Sequence, residues 1–555
     1  MIESIAFKFG AAHGASPLSV AVTPITIFVG PNYSGKSRAL TEIANHCYNI
    51  NNRKNYSIIE NVKFIGLEEN RAESIIDNLT TDYIGDTESG IIYTISSGQH
   101  QFHGDKKSLI NSLVMPNEND NKSMYLSIMV GSNILVLNSK NRSKLTEDQN
   151  GGDLQEIPST TFQRLFKDDI LRDSLSQVVK KSIGSYLVVD PTKLGTLRLR
   201  LSKTPPESPA IERGLDDKSI SFHSRSIHME ETSDGTKAFV GILSEIKAGN
   251  PKILFLDEPE AFLHPSLSFD LGREISKSIA GTDKRIFIST HNPQFVMGCI
   301  QSGTPLNIVR LTYNDSMPTA RLLSNKSIYE LMRNPLLRST GVISSLFYQN
   351  VIVTEGDPDR AFYQEINERL VSVGRGVPNA IFLNAQSKQT IQTIVAPLRQ
   401  LGIPTASIYD IDFIKDGGIV ARRSLSAAGI PDAIQDGLMT IRSKILESLE
   451  HTGKNFKICG GINLLSGVNK LAADEYIDQL ATYGTFIVKN GELESWFNEF
   501  EIGGHGPPWL IAMFERLGDD PNSKDYVRPS DEGVWAFMEK IANWLTNPNR
   551  KGIPS

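Results

Sequence analysis

Cysteine is scarce. Cys47, Cys299 and Cys459 stand far apart and form no CxxC pair, which excludes a disulfide framework and a structural zinc site and fits a reducing compartment. Long apolar runs are missing too: no stretch approaches the roughly 18 to 20 residues a membrane span needs, so no membrane partner is expected. The opening MIESIAFKFG lacks the basic-then-apolar pattern of a signal peptide, and a cytoplasmic location is expected. Charge of one sign is also lacking. A net charge of −6 provides no global attraction for nucleic acid, so any DNA contact must come from a local basic surface or from metal ions neutralising phosphates. What is present is ordinary for a globular protein, with 39% hydrophobic and 22% charged residues, and the length of 555 residues points to two or three domains rather than one core.

Parallel α/β patterning occurs in two blocks. ITIFV (residues 25–29) runs into a glycine turn and then the helix-compatible SRALTEIANHCY. Residues from about 50 to 185 are polar in places (Pro116–Ser123, Glu147–Asp153) and carry short strands, IIYTI and ILVLN, and a helical stretch over Phe162–Ile183. We read this region as an insertion in the first domain and a candidate dimerisation region. KTPPESP, Lys203–Pro209, is a loop by its three prolines. Apolar runs of buried-strand length return at KILFL and RIFIS. A second set, VIVT, AIFL, TASIY and TFIV, is separated by amphipathic stretches and predicts a smaller parallel sheet. The expected boundary lies near residue 345, giving domains 1–345 and 346–555, the latter with a C-terminal extension.

Gly30-Pro-Asn-Tyr-Ser-Gly-Lys-Ser37 matches GxxxxGK[ST], with an apolar strand before it and a helical pattern after it. Loop amides and the helix N-terminus cradle phosphate oxygens in such a segment, Lys36 reaches the β- and γ-phosphates, and the Ser37 hydroxyl ligates Mg²⁺. Gly30, Asn32, Ser34, Gly35, Lys36 and Ser37 are therefore candidate ATP contacts. The buried strand KILFL ends in Asp257-Glu258-Pro259. Asp257 is placed to hold Mg²⁺ through water and Glu258 to polarise the attacking water. RIFIS ends in Thr290-His291-Asn292-Pro293. His291 alone would read as a loop histidine, but third in this series it is a candidate contact to the γ-phosphate.

VIVT runs into Glu355-Gly-Asp-Pro-Asp359, with Asp357 expected as helix N-cap and Pro358 at the first helical position. TASIY runs into Asp410-Ile-Asp412, and period-2 alternation would turn both aspartates to one side of a strand end. Clustered carboxylates raise one another's pKa, a cost that Mg²⁺ or Mn²⁺ relieves. EGxxD by itself reads as a solvated turn. Together with DxD behind parallel strands it points to a metal site.

GPNYSGKS, FLDEPEAFLHP and STHNPQFV resemble the ATPase heads of the SMC and OLD (overcoming lysogenisation defect) branch of the ABC superfamily. EGxxD and DxD resemble the Toprim fold of topoisomerases, primases and OLD nucleases. The resemblance covers about 1–50 and 220–495 and implies an α/β architecture: an ABC-type ATPase head with an insertion, then a smaller Toprim parallel-sheet domain. It implies a signature segment at Thr232–Thr236, where Ser233 and the Gly235 amide would contact a partner subunit's γ-phosphate; only two of the five positions match the usual LSGGQ. It further implies Glu355 as metal ligand or base, Asp410 and Asp412 as catalytic metal ligands, Asp359 in support, and Glu494 as a late metal-side carboxylate. Lys388 stands where relatives often carry a glycine–lysine turn, here Gln386-Ser387-Lys388, and the resemblance implies a further lysine downstream, with Lys524 and Lys540 as candidates. The implied activity is an ATP-regulated, Mg²⁺- or Mn²⁺-dependent DNA endonuclease similar to the Gabija and retron-associated antiphage nucleases. It would act as a homodimer or higher assembly with a companion defence protein or bound nucleic acid encoded nearby. The alternative is a nucleotide-sensing ATPase scaffold with a non-catalytic Toprim domain. A DNA-repair ATPase of the SMC kind is disfavoured by the lack of a long heptad segment.

Overall fold

The computed structural model describes residues 1–12, 14–48, 56–87, 90–97, 100–118, 121–314, 317–323 and 341–554, so residues 119 and 120 of the polar stretch Pro116–Ser123 lie outside the described residues. The chain forms two compact units, Met1–Ile328 and Tyr329–Ser555.

The first unit contains β1 (Ile2–Phe7), β2 (Ile25–Val29), α1 (Lys36–Cys47), β3 (Ile59–Phe64), β4 (Ile134–Leu137), α2 (Asp234–Ala248), β5 (Ile253–Asp257), α3 (Pro265–Ile279), β6 (Arg285–Ser289), α4 (Pro293–Gln301), β7 (Leu306–Asn314) and β8 (Met317–Leu323). Six strands make one sheet in the order β8-β7-β2-β6-β5-β4, parallel throughout except for the β7–β8 hairpin. Every residue of β2 is buried, as a central strand covered on both faces requires. Parallel order brings the C-terminal ends of β2, β4, β5 and β6 to one edge, the place where α/β sheets collect ligands. β1 and β3 pair antiparallel, and their apolar face closes over α1 through Ile2, Ile5, Phe7, Ile43 and Phe64.

One expectation needs correction. The region 50–185 is more than an insertion, because ILVLN supplies β4, an edge strand of the core sheet paired with β5. The helical stretch expected over Phe162–Ile183 is present as two helices, Thr161–Lys167 and Asp169–Ile183.

The second unit contains β9 (Asn350–Thr354), α5 (Asp357–Ser372), β10 (Ala380–Asn384), α6 (Lys388–Gln400), β11 (Thr405–Tyr409), α7 (Asp432–Glu450), α8 (Gly467–Ala481), β12 (Thr485–Ile487), α9 (Pro507–Leu517) and α10 (Gly533–Thr546). Its sheet, β10-β9-β11-β12, is wholly parallel, as VIVT, AIFL, TASIY and TFIV predict. The last 60 residues carry no motif, yet they complete this core. Trp509 on α9 and Trp535, Met538 and Trp544 on α10 are buried against Phe362, Tyr363 and Phe486.

Two local readings fail. The N-cap of α5 is Gly356, so Asp357 is its first helical residue. Asp412 lies in a 3-10 turn, Ile411–Lys415, capped by Asp410 just past the end of β11, so strand alternation does not orient it.

Candidate functional site

At the sheet edge of the first unit the phosphate loop leaves β2 and enters α1 at Gly35, whose φ of 89° is the left-handed region. Lys36 is buried and donates to the loop's own carbonyls, Gly30 O at 2.9 Å and Pro31 O at 2.8 Å. Burial lowers its pKa, against the attraction of Glu258, Asp257 and Glu260. Asn32 and Ser37 are exposed, while Ser34 is buried. The Ser37 hydroxyl donates to Asp257 Oδ1 at 2.8 Å, and Ser289 Oγ donates to the same oxygen. His291 Nδ1 stands 3.0 Å from Glu258 Oε1. The structure thus brings Lys36, Ser37, Asp257, Glu258 and His291 to the ends of three adjacent strands.

Ser233 caps α2, with Thr236 N donating to its Oγ at 3.3 Å, and Gly235 sits in the helix's first turn. A helix N-terminus that presents free amides is suited to an anion. Sequence reading missed Glu260. It accepts from Thr290 Oγ1 at 2.6 Å, and burial raises its pKa. Its position in DEPE, two residues after Glu258, was the available signal.

In the second unit Glu355 follows β9 and Asp410 follows β11, on neighbouring parallel strands. The Asp410 amide donates to Glu355 Oε1 at 3.2 Å. Asp359 accepts from the Gly356 amide at 3.1 Å, capping its own helix. Burial, then Asp412 and Asp359, pushes Glu355 up to about 7. Burial, then Glu355, pushes Asp410 up to about 8. Burial, with Glu494 adding repulsion, pushes Asp359 up to about 6. Glu494 Oε1 accepts from the Gly506 amide at 3.0 Å.

Lys457, from the loop between α7 and α8, was not anticipated. Its Nζ lies 3.0 Å from Asp410, 3.5 Å from Glu492 and 4.0 Å from Asp412. Burial opposes its charge, but these carboxylates hold its pKa above the ordinary lysine value. Lys388 meets Asp412 at 3.3 Å and Asp416 at 3.4 Å, so this candidate is at the cluster. Lys540 instead pairs with Asp478 at 2.7 Å, and Lys524 is exposed. No motif surrounds Lys457; only the fold returns it to the DxD.

Do these residues suit a divalent cation? The donors are all carboxylate oxygens, the chemistry of Mg²⁺ and Mn²⁺. Burial first, and neighbouring carboxylates second, raise the pKa of Glu355, Asp359 and Asp410, and Asp412 Oδ1 is buried without a hydrogen bond although Lys388 lies within ion-pair reach. The chemistry fits. Among the described residues, no three His, Cys, Asp or Glu side chains stand in metal-holding geometry.

A family model described as an AAA domain, putative AbiEii toxin, type IV TA system, matches residues 131–297. A second, described as the TOPRIM domain of overcoming-lysogenization-defect-like proteins, matches residues 346–412. The Old nuclease of Escherichia phage P2 is 23% identical over 336 residues, which cover 56% of this chain and 53% of that protein; the match thus spans about half of that relative's length. Among solved structures, an SMC head bound to the C-terminal winged-helix domain of ScpA is 14% identical, covering 59% of this chain and 99% of its own at a TM-score of 0.33. The SMC head domain from Thermotoga maritima is 13% identical, covering 58% and 99% at a TM-score of 0.28. The chain accordingly joins an ATPase domain of the AAA_21 kind to an OLD-like TOPRIM domain and resembles the OLD family across that pairing.

Proposed function

We propose that the chain is an ATP-regulated, metal-dependent nuclease that cuts DNA phosphodiester bonds in antiphage defence. One observation carries the nuclease reading: Glu355 and Asp410 stand half-buried at the ends of adjacent parallel strands, with the Asp410 amide donating to Glu355 Oε1 at 3.2 Å and Asp359 and Asp412 beside them. Glu355, Asp410, Asp412, Asp359 and Glu494 would hold Mg²⁺ or Mn²⁺, which when bound activates water and stabilises the leaving oxygen. Glu355, pushed up to about 7, is poised to accept a proton near neutral pH. Lys457 and Lys388 add cationic charge with which the otherwise acidic site can meet a phosphate.

At the other site Lys36 would leave its loop carbonyls for the β- and γ-phosphates. Ser37 and Asp257 would hold the Mg²⁺ of ATP, Glu258 would orient water, and His291 would contact the γ-phosphate. Ser233 and Gly235 would complete the site of a second copy, which makes a homodimer or larger assembly part of the proposal. A companion defence protein or bound nucleic acid would supply the trigger.

A second reading, a nucleotide-sensing scaffold with a non-catalytic TOPRIM domain, is favoured by Lys457, whose ammonium stands among Asp410, Asp412 and Glu492. A cleavage assay on DNA with Mg²⁺ or Mn²⁺, with and without ATP, separates the two. Metal-dependent cutting by the wild-type chain supports the nuclease. Failure to cut under every nucleotide condition and with its genomic partners, joined to failure to bind either ion, leaves the scaffold.

A further inference from the structure

The turn that carries Glu258 is held in an unusual shape. Glu258 and Phe262 both have positive φ, 48° and 70°, a region that side chains with a Cβ rarely occupy and that persists only where the surroundings impose it. Three contacts impose it here. The Glu258 carbonyl accepts from the Ala261 amide at 3.0 Å within the turn. The same carbonyl accepts from Arg142 Nη1 at 2.5 Å. The Arg142 guanidinium also stands 5.4 Å from the centre of the Phe262 ring, cation–π reach, although that ring is 72% exposed.

Arg142 opens a short 3-10 turn, Arg142–Thr146, which follows β4 at the edge of the sheet. It is 3% exposed, and its Nη2 is buried without a hydrogen-bond partner. A buried guanidinium with a donor left unpaired is costly, so it marks a constraint beyond packing. Burial lowers its pKa, while Glu260, Glu258 and Asp257 sustain its charge.

Helix α2 touches both ends of this arrangement. A Cβ at Gly241 would stand 2.8 Å from Leu145 Cβ and 3.3 Å from Thr146 Cγ2, so glycine there lets the Arg142 turn lie against the helix. A Cβ at Gly235 would stand 2.7 Å from the Phe262 carbonyl oxygen. The helix capped by Ser233 thus abuts the Glu258–Phe262 turn directly and the Arg142 turn behind it.

We infer that Arg142 is a positioning residue for ATP hydrolysis: it clamps the Glu258–Phe262 turn from behind, so that the Glu258 carboxylate is aimed at the attacking water, and links that aim to the placement of the Ser233-capped helix. Arg142 donates to the Glu258 backbone and, among the described residues, forms no hydrogen bond with the loop that binds phosphate. Its loss should therefore slow the chemical step and spare nucleotide binding. Misplacement of a reacting group by about 1 Å costs on the order of a hundredfold in rate.

The inference rests on the ATPase reading. Its test measures ATP hydrolysis, ATP affinity and thermal unfolding for the full chain as wild type, Arg142→Met, Arg142→Lys and Phe262→Leu. Arg142→Met keeps much of the side-chain length and removes every donor, and its kcat should fall roughly 10- to 100-fold with the ATP Kd held within about threefold. Lysine retains one donor for the Glu258 carbonyl and should recover part of the rate. Phe262→Leu, at an exposed position, should lower kcat about threefold at unchanged affinity, and it decides the matter where Arg142→Met does not fold. Wild-type kcat in folded Arg142→Met, a Kd that worsens in step with kcat, or wild-type kcat in Phe262→Leu beside an unfolded Arg142→Met overturns the inference alone. A wild-type chain that hydrolyses no ATP overturns the ATPase reading as well.

Discussion

The acidic site of the second unit turns on a few half-buried carboxylates that stand close together. Glu355 at about 7 and Asp410 at about 8 are raised first by burial and then by each other or by neighbouring aspartates. A folded pKa above the unfolded value means that the contribution to stability is complete below the unfolded pKa, near 4, and is lost as pH rises to about 7 and 8. The metal-free chain should therefore lose stability between pH 5 and pH 8. A divalent cation must displace the same protons. Its affinity should rise between pH 6 and pH 8 by up to about tenfold per pH unit for each proton released, with proton release on binding detectable by calorimetry in buffers of different ionisation enthalpy. Affinity that is flat over this range would mean that Glu355 and Asp410 are not the ligands.

Among elements, the fold depends on contacts that no motif announces. Arg399 on α6 is buried and donates to the carbonyls of Thr405, Ala428, Tyr483 and Gly484, at 2.6 to 3.2 Å, while its guanidinium lies 5.1 Å from the Trp544 ring centre. One side chain thus ties the start of β11, the turn before β12 and α10. Arg399→Met should leave several buried carbonyls unpaired and destabilise the second unit by about 3 kcal/mol or more, read as a lower urea midpoint for that unit's transition. A midpoint unchanged by the substitution would show that water or a neighbouring donor replaces the guanidinium. The same contrast explains what the sequence disclosed. The phosphate loop, DEP, THNP, EGDPD and DID each sit where a short apolar strand ends, so strand pattern and chemistry coincide within about ten residues. Lys457 and Arg142 come from loops with no such local signal, and only tertiary contact brings them to Asp410 and Glu258. Four residues among polar neighbours, ILVL, gave no sign of joining the core sheet, because an edge strand that short is specified by its partner β5. Asp412 was misread because β11 stops at Tyr409, after which a period of two no longer applies.

At the scale of the whole chain, the two sites belong to separate compact units, and the ligand sets proposed for them share no residue. Glu355→Ala, or Asp410→Ala with Asp412→Ala, should therefore abolish DNA cleavage and leave ATP binding and hydrolysis nearly intact. Loss of a carboxylate lowers the affinity for the ion and removes a group that positions the nucleophile, so the drop should exceed about a hundredfold. Excess Mn²⁺ should partly restore Asp410→Ala, because Mn²⁺ binds such oxygen sites more tightly than Mg²⁺. It should not restore Glu355→Ala if Glu355 is the base, since no ion replaces the missing proton acceptor. The order of effects distinguishes roles as well as sites. Rescue of Glu355→Ala by Mn²⁺ would make Glu355 a ligand only. Parallel loss of ATP hydrolysis and cleavage would mean that the carboxylates are needed for the shape of the chain, and the division of labour between the two units would fall with them.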